Sequence, residues 1–487
     1  MIKFHQAGFN GECPSCHKKS DFLSVCLDLG GIHQERRRFS LEHDPAIPVP
    51  SKAAAVACGV LLWIGMIFPA SPVSAGVEGK FPDLTANVFC PLNADQNDFS
   101  IWPNARSSGN SDPWIWQNHE KIRKMRPRVL VLNFANNVTM EGIQDRTEKM
   151  IRALAEASRY HGYKDPEAPA FLEYQVLKYV DLRDSPIPPD RKDRNSTRCP
   201  YVSPKKPSAC DYGAFFTEEF AKYYGFPDPK RDGKFLDLHK LIGRGIVHEL
   251  WFYQIHDDWG APLETIEFKQ YYDMSCRPVK GCRGPAGNGH SETMPWSGRS
   301  FRITFFNPHR GIGCGMENFS HAMEGMANYN AIEYYRKYFD EYAEFDLDQR
   351  FSLPFKSLYA AVHGDVKVDY PDATTMRIRG EKEHVIRPYV AMGCNVHFPP
   401  GARQHYDLKS PFTVKSTIEN WRLRNGVGGN DLVQDFNKDK FKSWITFCPD
   451  GMGPWLVFWR QNMPGLDNRC KDNEGRPMKN WWVFLFY

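Results

Sequence analysis

The side chains with the most capacity for chemistry fall in one stretch, Arg302 to Asn328 (RITFFNPHRGIGCGMENFSHAMEGMAN). Glu317, His321 and Glu324 are spaced four and three residues apart, so a helix through them carries two carboxylates and an imidazole on one face. Such a stripe covers a core poorly and suits metal binding or proton transfer. A solvated helix face produces the same spacing, because charged residues are seldom fully buried. The preceding residues favour a site. Ile303, Thr304, Phe305 and Phe306 read as a strand, Asn307-Pro308 breaks it, and Gly311, Gly313 and Gly315 turn tightly into the helix. Strand-to-helix junctions are where parallel sheets place their ligands, which makes Asn307 and Arg310 candidates for substrate binding.

Two other stretches offer partners. In Gly393 to Asp407 (GCNVHFPPGARQHYD), His397, His405 and Asp407 lie close together, and His397 and Asp407 are candidate substrate-binding residues. A hydrogen-bonded loop stiffened by Pro399-Pro400 explains the same residues without function. In Gly245 to Tyr253 (GIVHELWFY), His248 and Glu249 are neighbours on a strand and point to opposite faces, so one of them can enter a given cleft. Residues 256–300 form a long connection, the kind that serves as a lid, and carry Asp257, Asp258, Glu264 and Glu267.

The elements that must position these groups alternate. Val129 to Phe134 is a buried strand, Asp145 to Tyr160 an amphipathic helix and Phe171 to Val180 a strand. Phe215 to Tyr224 and Phe235 to Ile242 read as helices before the strand holding Glu249. The pattern predicts an α/β fold: one mostly parallel sheet of strands at 129–134, 174–180, 246–253 and 302–306, with helices at 145–160 and 316–330 on its faces. Loop-rich insertions are expected at 185–211 and 256–300. Residues 408–487, with Trp421, Trp444, Trp455, Trp459, Trp481 and Trp482, read as an aromatic-rich, β-containing cover.

Composition narrows the classes. With 62 basic and 58 acidic residues in 487, the formal charge of +4 gives no footprint for nucleic acid. The apolar run Ala53 to Ala70 followed by Ser71-Pro-Val-Ser-Ala75 fits a signal peptide spanning 53–75 with cleavage after Ala75, behind a polar extension at 1–52. That predicts a secreted or periplasmic protein, starting near Gly76, without stable membrane insertion. Its α/β domain would span 76–407. Cys13, Cys16 and His17 make half a zinc ribbon and receive no role. Nine cysteines follow residue 75, with Cys199–Cys210 and Cys276–Cys282 the expected disulfides.

The blocks GIVHELWFY (245–253), RITFFNPHRGIGCGMENFSHAMEGM (302–326), CNVHFPPGARQHYD (394–407) and NWW (480–482) resemble those of a family of secreted, mostly bacterial proteins. That family runs as a D-E-V-W strand, an N-Y-E-R-G-V-G-E-x-x-E-x-x-G-H-R-x-E segment and a C-G-x-V-H-F-P-P-N loop. Glu249, Glu317, His321, Glu324, His397 and Asp407 fall on its polar positions. His248 replaces an acidic residue, Pro308-His309 an aromatic-acid pair and Cys314 a glutamate. The resemblance implies a common fold linking the blocks and implies no reaction.

Three functions fit. The first is an extracellular hydrolase acting on a polysaccharide through paired carboxylates, Glu249 with Glu317 or Glu324, assisted by His321. The second is a metal-dependent hydrolase with a divalent ion such as zinc on Glu317, His321 and His397. The third is a non-catalytic protein that binds carbohydrate or another extracellular polymer. Within the site, Glu317 is expected in the first turn of its helix as the base, and Glu324 as a desolvated acid.

Overall fold

The computed structural model describes residues 97–107, 112–135, 138–183, 201–203, 206–254, 264–289, 294–359, 367–380, 382–424 and 431–487. The polar extension, the signal segment, Cys13, Cys16, His17 and Cys199 lie outside them.

A six-stranded sheet organises the chain. Its strands are β1 (Arg128–Asn133), β2 (Gln175–Asp181), β3 (Glu249–Tyr253), β4 (Thr265–Tyr272), β5 (Pro278–Pro285) and β6 (Phe301–Phe306), in the order β2-β1-β3-β6-β4-β5. The first four in that order are mutually parallel, and β4 and β5 close the edge antiparallel. β1, β3 and β6 are buried along their whole length, which is why their sequences are mostly apolar. The sheet is therefore mostly parallel with an antiparallel edge, and helices accompany it.

The two faces differ. α1 (Met140–Ala157) connects β1 to β2, and Thr139 caps it by accepting from the Gly142 amide, a contact worth about 1 kcal/mol. Tyr253 reaches Thr147 of α1, and Trp251 and Phe306 pack on Phe319 of a second helix. Phe252 points the opposite way, onto Phe215 and Phe134, where Tyr212–Phe216 and α2 (Glu218–Tyr224) lie near α3 (Leu238–Gly243). The helix holding Phe319 is α4 (Ile312–Asn328). α1 and α4 thus share one face of the sheet, whereas the sequence pattern had assigned them no common side.

The described residues of the stretch 256–300 include the β4–β5 hairpin, which extends the sheet; Pro278, Gly281, Gly284 and Pro285 disguise β5 as loop. The helical run after residue 328 breaks into α5 (Glu333–Tyr342) and a short turn, Leu347–Phe351. A three-stranded meander, β7 (Lys367–Asp372), β8 (Thr375–Arg379) and β9 (Glu383–Ile386), follows with no counterpart in the sequence reading.

Residues 408–487 are core rather than cover. Their β structure among the described residues is one strand pair, Val414–Ser416 with Gln434–Phe436, and isolated bridges such as Lys471 with Pro477. The rest is short 3-10 turns and α6 (Gly453–Gln461), every residue of which is buried. α6 packs on both α1 and α4, and Trp455, Trp459, Trp481 and Trp482 are each fully enclosed. Apolar side chains of this size bury the most area per residue, which is why the aromatic count marks an interior.

The expected Cys276–Cys282 disulfide does not form. Cys276 is a free, buried thiol and Cys282 is disulfide-bonded elsewhere. Cys276 sits at the hairpin bend with φ 56°, beside Tyr487. Among the described residues, no helix is long and apolar enough to cross a membrane.

Candidate metal centre

α4 begins four residues earlier than the expected 316, and the Gly-rich stretch explains how. Asp450 comes in from the chain before α6, and its Oδ1 accepts the Gly313 amide at 2.8 Å. A Cβ on Gly311 would meet the Asp450 carboxylate at 2.0 Å, and one on Gly313 would meet the Asp450 carbonyl at 1.8 Å. The glycines therefore make room for a carboxylate that caps the helix from outside. Glu317 consequently lies in the second turn, so its charge is not held by the helix terminus.

Opposite α4 runs the loop 392–407, fastened at several points. Glu344 accepts from the Met392 amide at 3.0 Å and from the Tyr389 hydroxyl at 2.9 Å. The indoles of Trp459 and Trp455 donate to the carbonyls of Cys394 and Asn395 at 3.0 and 3.1 Å. Asn395 turns back on the His397 and Phe398 amides. The loop thereby presents His397 to the polar face of α4.

Three atoms converge there. His397 Nε2 is 2.8 Å from Glu317 Oε1 and 3.1 Å from His321 Nε2, and His321 Nε2 is 3.9 Å from Glu317 Oε1. A point equidistant from atoms with those separations lies about 2.0 Å from each, the bond length of zinc to imidazole or carboxylate. Behind them stands a further layer. His321 Nδ1 is 2.6 Å from Glu324 Oε2, and Glu324 Oε1 accepts from the Tyr359 hydroxyl and the Val396 amide, both at 3.2 Å. Tyr406, with φ 63°, donates its hydroxyl to Glu317 Oε1 at 2.6 Å. A positive φ on a bulky residue is strained and recurs at functional sites.

Protons satisfy this arrangement badly. His321 must give its Nδ1–H to Glu324, since a carboxylate only accepts. His397 must give its Nε2–H to Glu317 for the same reason. His321 Nε2 then faces, at 3.1 Å, a nitrogen whose hydrogen is already committed. A cation at the centre removes the conflict, because all three atoms can turn lone pairs toward it. The electrostatics agree. Burial alone would lower the His321 pKa, but the carboxylates of Glu264, Glu324 and Glu317 raise it well above the imidazole range. Burial would raise the Glu317 carboxyl, and its neighbours His321, His397 and Tyr406 hold it well below its usual value instead. At 3.9 Å, His321 acts on Glu317 through charge rather than a hydrogen bond.

The other sequence candidates lie elsewhere or do other work. Glu249 opens β3, at the amino edge of the sheet, with Arg302 beside it in register. It is 1% exposed, ion-paired to Arg302 at 3.0 Å and bonded to Tyr174 and Trp251. The adjoining void of about 10 Å³ is the size of one water. Glu249 thus has no cleft to act in; its neighbour His248 is buried and accepts the Arg128 amide. Glu324 is engaged by His321, the Tyr359 hydroxyl and the Val396 amide. Asp407 is held by Arg403 at 2.6 Å and fastens the loop. Asn307 caps its own turn through the His309 amide. Arg310 is exposed at the mouth, its carbonyl bonded to Arg146.

Tyr359, Tyr406 and Glu264 were not singled out in the sequence. Tyr406 was visible as part of the same polar loop, and Glu264 as one acid among four. Tyr359 carries no local signal. No protein-family model matches the chain, and no curated protein is similar enough to count as a relative.

Proposed function

We propose that the protein is a metal-dependent hydrolase whose divalent ion is held by Glu317, His321 and His397. The observation that carries this reading is His397 Nε2, placed within 3.1 Å of both an imidazole nitrogen and a carboxylate oxygen. Two histidines and one carboxylate are the protein ligands of hydrolytic zinc sites, and they leave positions for water and substrate. The contact of His321 Nδ1 with Glu324 supplies the carboxylate that fixes ring orientation behind a metal-bound histidine. The same donor set suits ferrous iron, so the metal itself is read from the purified protein.

The paired-carboxylate reading has less support, since Glu249 is neutralised by Arg302 and Glu324 is spent on His321. An extracellular polymer remains the substrate class favoured by the export-like N-terminal sequence.

Elemental analysis and zinc titration test the proposal. One divalent ion per chain is expected, removable by chelator and absent from His321→Ala and His397→Ala. A wild-type chain that takes up no zinc or iron from buffer at micromolar concentration would exclude it.

A further inference from the structure

Resting on that metal-centre reading, we infer that Glu264 is the base that takes the proton from the attacking water. The candidates reduce by use. Glu317 is a ligand, Glu324 is engaged by His321, Tyr359 and the Val396 amide, Asp407 by Arg403, and Glu249 by Arg302. Among the described residues, Glu264 is the remaining carboxylate placed against one of the three ligands, His321.

Its position is built for the task. Glu264 immediately precedes β4, and its carbonyl accepts the Phe305 amide at 3.0 Å, at the carboxyl end of β6. Its Oε2 lies 3.9 Å from His321 Nε2. That gap is too long for a hydrogen bond, so the carboxylate stands beside the ligand nitrogen without being bonded to it, within reach of a water held at the centre. The carboxylate is also aimed. Asn288 donates its side-chain amide to Glu264 Oε2, and the Asn288 oxygen is pinned by the Thr265 amide at 3.0 Å and its hydroxyl at 2.9 Å. An exposed acid with no task needs no such brace. The side chain of Glu264 is 30% exposed, against 6% for Glu324, so water reaches it.

The step balances. The water gives one proton to the Glu264 carboxylate while its oxygen forms a bond to the electrophilic carbon of the substrate. The carbonyl π pair moves onto the carbonyl oxygen. When that pair returns, the bond to the leaving group breaks, and the leaving nitrogen or oxygen departs with the proton held by Glu264.

Acetohydroxamic acid tests this without a known substrate, because it binds a metal as the anion and passes its proton to a neighbouring base. Zinc content and hydroxamate affinity are measured on wild type, Glu264→Gln and Glu264→Asp. The expected result is one zinc in each and a Kd raised tenfold or more in Glu264→Gln, about the worth of one hydrogen bond to a charged group, with Glu264→Asp recovering part of it. Glu264→Gln binding the hydroxamate within twofold of wild type would overturn the assignment. So would loss of zinc from that variant, which would make Glu264 a ligand. Wild type without metal defeats the metal centre itself, and Glu264 as its base along with it, a result distinct from either.

Discussion

Two clusters of buried charge lie on opposite sides of this molecule's logic. At the amino edge of the sheet, Arg302 bonds Glu249 and Glu267, Lys269 bonds Glu267, and Arg299 faces Asp112. Three cations meet three anions, and the Arg302 guanidinium also reaches the Leu485 carbonyl at 3.1 Å. At α4, three carboxylates (Glu264, Glu317 and Glu324) surround two imidazoles, and they favour the charged form of His321. The first set closes on itself and can do nothing further. The second is short of positive charge even with His321 protonated. Burial and perturbed ionisation occur in both, so they do not mark the site; the unfilled electrostatic demand does.

That contrast can be broken in order of expected size. Arg302→Met leaves Glu249 and Glu267 buried without their cation, and unfolding free energy should fall by about 3–5 kcal/mol. A urea titration showing a loss under about 1 kcal/mol would mean that this cluster is not closely coupled. Glu317→Gln should do the opposite: zinc affinity drops by about 100-fold or more, as expected when an inner ligand is lost. Stability without metal should move by no more than about 1 kcal/mol. If the metal-free variant unfolds as readily as Arg302→Met, the α4 cluster is scaffolding.

Glu324→Gln comes next, with zinc binding weakened by about 10- to 100-fold, since an amide orients the His321 ring less firmly than a carboxylate. Unchanged affinity by isothermal titration would remove Glu324 from the metal's support. Tyr359→Phe is the smallest, costing about 1 kcal/mol in zinc binding through one hydrogen bond to Glu324. An effect larger than that of Glu324→Gln would show that Tyr359 acts on His397, whose amide it also meets at 3.3 Å.

How much of this could be read in the sequence follows from the range of each signal. The face carrying 317, 321 and 324 is local periodicity, and the helix indeed sets Glu317, His321 and Glu324 side by side. The parallel strands were legible because burial on both faces leaves an apolar run. The mistakes concern partners far away in the chain. Glu249 looks available until Arg302, 53 positions later, is brought beside it by sheet register. Glu264 looks solvated until the hairpin after it delivers Asn288. The tryptophans of 408–487 look like a cover until α6 is seen between α1 and α4. Gly311 and Gly313 signalled a turn, while the carboxylate they accommodate lies 137 residues beyond Gly313.

That last contact sets an order of events in the cell. Chains leave the ribosome amino end first, and each part folds with what has already emerged. Glu317, His321 and His397 are all synthesised before Asp450 and before the tryptophan-rich helix that supports their loop. A nascent chain arrested ahead of residue 450 therefore owns every ligand and still lacks both the cap of the ligand helix and the anchors of the His397 loop. On the proposed reading, metal capture would belong to the finished polypeptide, once the cap and the anchors are in place.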